Sequence, residues 1–167
     1  MTEALAVFAM AVGVYAGFCA AARLKERENA LLKTRQFLFA LKLSLEYGGK
    51  PLGELFFELS KQERFASFSF LSALLREANK GVALPDAWET AAAGEEKRLG
   101  AECCALLLRL GAVLGTTDKP GQMEMLLREL VQLDGLCNAA KEKRERCSSL
   151  YRACGAFFGF AVFILLI

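Results

Sequence analysis

Charge is missing from both ends of the chain. Residues 4–22, "ALAVFAMAVGVYAGFCAAA", are 19 positions without Asp, Glu, Lys or Arg. As a helix rising 1.5 Å per residue they span roughly 29 Å, close to the ~30 Å of a bilayer core. A cleaved signal peptide is the alternative, with Ala20–Ala22 as a cleavage site, but "MTE" before the run lacks the usual Lys or Arg. Residues 150–167, "LYRACGAFFGFAVFILLI", carry Arg152 as their one charge. The residues after Arg152 give only about 22 Å of helix. A snorkelling Arg152 extends the count back to Leu150 and about 27 Å, enough with slight thinning of the bilayer. A buried C-terminal helix is the alternative, disfavoured by a run this apolar that ends in "FILLI" with no polar face. The pattern therefore predicts transmembrane helices over 1–22 and 150–167.

Basic residues crowd the inner flank of each run. Arg23, Lys25, Arg27, Lys33 and Arg35 follow the first, and Lys141, Lys143, Arg144 and Arg146 precede the second. By the positive-inside rule, residues 23–149 are cytoplasmic and both termini lie across the membrane.

Between the ends the apolar spacing is helical throughout, and no strand alternation occurs. "ENALLKTRQFLFALKLSLEYGG" repeats Leu31, Leu38, Leu41 and Leu45 on one face, with Gly48–Gly49 as its stop and Pro51 opening the next helix. "PLGELFFELSKQE" is a short helix. "FSFLSALLREANKG" ends at Gly81, and "LPDAWETAAAG" runs from Pro85 to Gly94. "EEKRLGAECCALLLRLGAVLG" is expected as one helix stopped at Gly115, and a last helix runs from about Lys119 to Arg146 into the second apolar end. The expected fold is all-α: a cytoplasmic helical bundle, 23–149, flanked by two transmembrane helices.

The polar interruption "GTTDKPG" stands out in this background. Gly115 stops a helix, and Thr116, Thr117 and Asp118 are successive cap candidates for the next. Asp118 suits the free N–H groups and positive end of that helix, and Gln122 lies four residues on, near the same face. Two readings stand: a capping loop, or a contact site formed by Asp118, Lys119 and Gln122. A catalytic role for Asp118 lacks a His, Ser or Cys partner at a known spacing.

Composition narrows the chemistry. More than half of the residues are apolar, and the mean hydropathy is +0.30. A net charge of +2 supplies no field for nucleic acid. The absence of His removes imidazole catalysis and His-containing metal sites. The six cysteines, Cys19, Cys103, Cys104, Cys137, Cys147 and Cys154, contain no C-x-x-C pair and are expected as buried thiols. Adjacent Cys103 and Cys104 point about 100° apart on a helix. A thiol enzyme would need a thiolate activated by a base or cation; Lys97 and Arg98 are near in sequence, within a charge run expected as a solvated face. No catalytic, cofactor or metal residue is expected. Trp88, the single Trp, is expected as a packing anchor of the bundle, with an exposed interface residue as the alternative.

Four segments in order resemble the stage III sporulation protein AB family of endospore-forming bacteria. They are "LEYGGKPLGELF" (45–56), "DAWETA" (86–91), "LGAVLGTTDKPGQ" (110–122) and the apolar tail from Leu150. Lys119, Pro120 and Gly121 depart from the family's more usual Arg-Glu and a small or polar residue; Lys119 lacks the bidentate fork of an arginine. The family is in turn similar to the cytoplasmic domain of type II secretion platform proteins. The resemblance implies a non-enzymatic membrane scaffold of a secretion-like channel between mother cell and forespore. It would sit in the mother-cell membrane facing the forespore. Its partners would be a cytoplasmic ATPase like the stage III AA protein, other channel proteins and the lipid bilayer. A generic two-helix membrane regulator is the alternative.

Overall fold

The computed structural model describes the backbone of residues 2–47, 50–116 and 118–166, with side chains for all of these except 2–10, 14, 148, 151, 152, 155, 156 and 158–166. The described residues are helical with short connections and hold no strand. The elements are α1 (Thr2–Tyr47), α2 (Leu52–Ser60), a single 3-10 turn (Glu63–Phe65), α3 (Ser69–Asn79), α4 (Leu84–Gly94), α5 (Glu96–Leu99), α6 (Ala101–Val113) and α7 (Lys119–Leu166). They form two compact units, Met1–Asn29 with Asn138–Ile167, and Ala30–Cys137.

In the first unit, Arg144 Nε lies 2.8 Å from Glu28 Oε2. Glu28 is buried, and this oxygen receives no hydrogen bond, so the attraction is coulombic rather than directed. Tyr15, Phe18, Leu150 and Phe157 are exposed. Among the described residues no helix is long and apolar enough to cross a membrane. The expected spans 1–22 and 150–167 fall largely on positions whose side chains lie outside the described set.

The second unit is built around aromatic rings. Phe37 of α1 has ring centroids of Phe56, Phe65, Phe68, Phe70 and Trp88 at 5.4–6.2 Å. Trp88 meets Phe70 edge-on at 4.9 Å and Phe56 at 5.7 Å. These contacts draw α1, α2, α3 and α4 onto one centre. The apolar stripes explain why: Leu31, Phe37, Leu38 and Leu41 on α1, and Cys103, Leu106, Leu107 and Leu110 on α6, recur at helical spacing and are all buried. Thr34 falls inside the α1 stripe, and its hydroxyl donates to Ala30 O at 3.0 Å, so no polar atom is stranded.

Glycines end two helices by their backbone freedom. After α3, Gly81 takes φ +83°, its N–H bonds Ala78 O at 3.0 Å, and Val82 N–H reaches back to Glu77 O at 3.4 Å. This is the Schellman arrangement. Gly100 has φ 86° and ψ 158°, a region open essentially to Gly alone. It divides the stretch expected as one helix into α5 and α6. In the charge run there, Glu96, Lys97 and Arg98 are exposed, as expected of a solvated face, while Glu95 is buried, with Arg98 Nη1 at 3.0 Å; Arg98 bonds Ser69 of α3 as well. Gly48 and Gly49, the expected stop of α1, lie outside the described residues. Of the six cysteines expected to be buried, Cys103, Cys104 and Cys137 are; Cys19 and Cys147 are half-buried and Cys154 is exposed.

Trp88 is 2 % exposed, and its indole N–H donates to Leu107 O at 2.7 Å. A Cβ placed on Gly111 would lie 2.3 Å from Trp88 Cδ1 and 2.7 Å from Nε1. Gly111→Ala is therefore expected to destabilise the protein by about 1–3 kcal/mol through overpacking, despite alanine's higher helix propensity. Chemical denaturation of the full chain checks this, and unchanged or raised stability would contradict the observed packing.

Candidate functional site

The polar break between α6 and α7 is organised from both sides. Leu114 is buried and its N–H bonds Leu110 O at 3.0 Å, closing α6; Gly115 then turns the chain at φ +82°. Thr116 works on the helix before it: its hydroxyl donates to Ala112 O at 3.0 Å and Val113 O at 3.1 Å. Sequence reasoning offered Thr116 as a cap for the following helix. The geometry gives it to the carbonyl end of α6, where free acceptors are equally in need of partners. Thr117 lies outside the described residues.

Asp118 immediately precedes α7, the N-cap position, and its backbone carbonyl accepts from Gln122 N–H at 3.0 Å. Asp118 and Lys119 are exposed; Gln122 is half-buried on the first turn. A Cβ on Gly115 would stand 3.3 Å from Leu52 Cδ1, so the break after α6 lies against the start of α2. The 115–122 interruption thus meets the first residue of α2 at one edge of the bundle. Lys50, beside that edge, pairs with Glu58; the hydrogen bond to this carboxylate holds the Lys50 ammonium above its ordinary value. Trp88 lies in the core, away from any role as an exposed interface residue.

One strong polar link was missed. Arg109 of α6 donates from Nε to Glu129 Oε1 at 3.0 Å and from Nη2 to Glu129 Oε2 at 2.8 Å, with Gln132 Oε1 at 2.9 Å. Glu129 is 1 % exposed, and its hydrogen bonds raise the Arg109 guanidinium further above its ordinary range. The fork joins α6 to α7 bidentately. A signal for it exists in the sequence: Glu129 sits on the stripe of Leu126 and Leu133, where a carboxylate requires a partner.

The thiols offer little reactive chemistry at Cys104. Burial first, then the nearby Glu96 and Glu95 carboxylates, push its pKa up, and its S–H donates to Ala92 O at 3.4 Å. A thiol held protonated is a poor nucleophile. Among the described residues no group of three Cys, Asp or Glu side chains is placed to hold a metal ion.

What these residues define is a helical-bundle protein in which Trp88–Leu107, Arg109–Glu129 and Arg35–Asp134 link separate helices, with Asp118 and Lys119 exposed at the break between α6 and α7. The chain belongs to the stage III sporulation protein AB family, whose model matches residues 4–167. No curated protein and no solved structure matches it. Membership assigns the chain to stage III of sporulation.

Replacing Asp118 by Ala is expected to cost about 0.5–2 kcal/mol, the usual value of an N-cap, while Asp118→Asn stays within a few tenths of wild type. Thermal melting of both variants checks the assignment. A stably folded Asp118→Asn protein that fails to support sporulation would show that the charge, rather than the cap, matters.

Proposed function

We propose that the protein is a non-enzymatic membrane platform of a sporulation-specific, secretion-like channel, and that it docks a cytoplasmic ATPase of the stage III AA kind. Residues 23–149 face the mother-cell cytoplasm, and helices at 1–22 and 150–167 anchor them in the membrane facing the forespore. The observation that carries the docking surface is the contact of Gly115 with Leu52. It sets the polar break between α6 and α7 against the start of α2, with Asp118 and Lys119 exposed beside it. Loops held by a rigid scaffold are common contact sites. Family membership supports the setting, and the protonated Cys104 thiol speaks against a thiol enzyme. Exposed Tyr15, Phe18, Leu150 and Phe157 supply the apolar surface that a bilayer would cover. The basic flanks at 23–35 and 141–146 support this orientation.

Binding of the stage III AA ATPase to the full-length protein in detergent micelles tests the docking edge. Lys119→Glu is expected to weaken binding roughly tenfold, about 1.4 kcal/mol, with the melting temperature nearly unchanged. Unchanged binding by a normally folded variant would remove this edge from the interface.

Orientation has its own measurement. In intact cells, a membrane-impermeant thiol reagent should label Thr2→Cys and leave Asn79→Cys protected. Strong labelling of Asn79→Cys from outside would overturn the topology.

A further inference from the structure

A groove of about 370 Å³ opens on the second unit, within the ~300–1,000 Å³ range of ligand pockets. Its walls include Arg35, Phe39 and Lys42 of α1, Arg64 of the 3-10 turn, and Leu127 and Asp134 of α7. None of its lining residues belongs to the 115–122 edge.

The groove combines two features that a folded surface does not usually leave together. The first is apolar exposure at helical spacing. In the lining, Phe39 is 53 % and Leu127 44 % exposed; outside it, Leu43 and Val131, each four residues further along the same helices, are exposed too. The second is uncompensated positive charge. Arg35 is paired with Asp134, which uses the single acid of the lining. Arg64 enters no ion pair among the described residues; it gives its Nε to Gln62 Oε1 at 2.8 Å and lies 4.9 Å over the Phe65 ring. Lys42 enters no ion pair among the described residues.

We infer that this groove is a docking site for an acidic amphipathic helix of another protein. Apolar side chains one turn apart on the incoming helix fill the space between Phe39 and Leu127, and its flanking carboxylates pair with Lys42 and Arg64. A concave cleft between two helices suits the helix-in-groove mode of recognition. A basic helix would meet two uncompensated cations, which sets the sign of the partner. The inference concerns a face separate from the ATPase-docking edge and stands independently of it.

The test is selection from a displayed library of 16-residue amphipathic helices, with the charged positions randomised, on the full-length protein in phosphatidylcholine nanodiscs. Enriched sequences are expected to be acidic, with apolar residues at i, i+3 or i+4, and i+7. Their binding should fall at least tenfold for Lys42→Glu with Arg64→Glu and stay unchanged for Lys119→Glu. Should the reversed-charge variant lose its melting transition, Lys42→Gln with Arg64→Gln takes its place, with a smaller expected loss. No enrichment, enrichment of basic or uncharged helices, or equal binding by the variants overturns the inference. So does loss of peptide binding when phosphatidylglycerol is added to the nanodisc, because an anionic lipid is then the occupant.

Discussion

The packing of the second unit turns on the approach of the Trp88 indole to α6 at a position with no side chain. In helical register, Leu107 O is already the acceptor of Gly111 N–H. The indole N–H reaches the same carbonyl at 2.7 Å, using its remaining acceptor capacity. It does so because residue 111 carries no Cβ; one would stand 2.3 Å from the ring. With the polar atom satisfied, the rest of the ring is free to pack against Phe37, Phe56 and Phe70. A larger residue at 111 or a ring without the N–H disturbs this arrangement from opposite sides: the first through sterics, the second by removing a buried hydrogen bond.

Around that centre, polar links connect neighbouring helices. Arg109 and Glu129 join α6 to α7, Arg98 joins α5 to Glu95 and to Ser69 of α3, and Arg35 joins α1 to Asp134 of α7. Their energetic weight differs. Arg35 and Asp134 are both about half exposed, so their pairing is worth little. Glu129 is buried, and losing Arg109 would leave its carboxylate without a compensating charge, the costly direction in which to break such a pair.

Periodicity made much of this fold legible. Of the α1 face named in the sequence, Leu31, Leu38 and Leu41 are buried and Leu45 is half-buried, and Gly81 and Pro85 mark the helix ends they were expected to mark. What periodicity does not resolve is a glycine inside a helical pattern. Gly100 and Gly111 look alike in sequence, yet the helix breaks at the first and runs through the second. The difference is tertiary: Trp88 occupies the space beside Gly111, while Arg98 of α5 bonds both Glu95 and distant Ser69. Thr116 illustrates the same limit on a smaller scale, since a threonine between two helices has free carbonyls behind it and free N–H groups ahead. Of the candidate site, the position of Asp118 at a helix start was legible from spacing. The meeting of Gly115 with Leu52 was not, because it joins residues from distant parts of the chain.

That meeting also bears on how the edge could work. Asp118 and Lys119 are exposed, but the backbone bearing them is tied down on either side. Leu114 is buried, the Thr116 hydroxyl bonds α6 twice, and the Asp118 carbonyl enters the first turn of α7. A loop held in this way loses little conformational freedom when a partner arrives, so more of the contact energy remains as affinity. It also separates stability from recognition. The charge of Lys119 contributes nothing to the aromatic core, whereas Trp88 and Gly111 lie too deep to meet a partner. The proposed docking role is compatible with that separation, because exposed residues such as Lys119 can change without loosening the bundle that presents them.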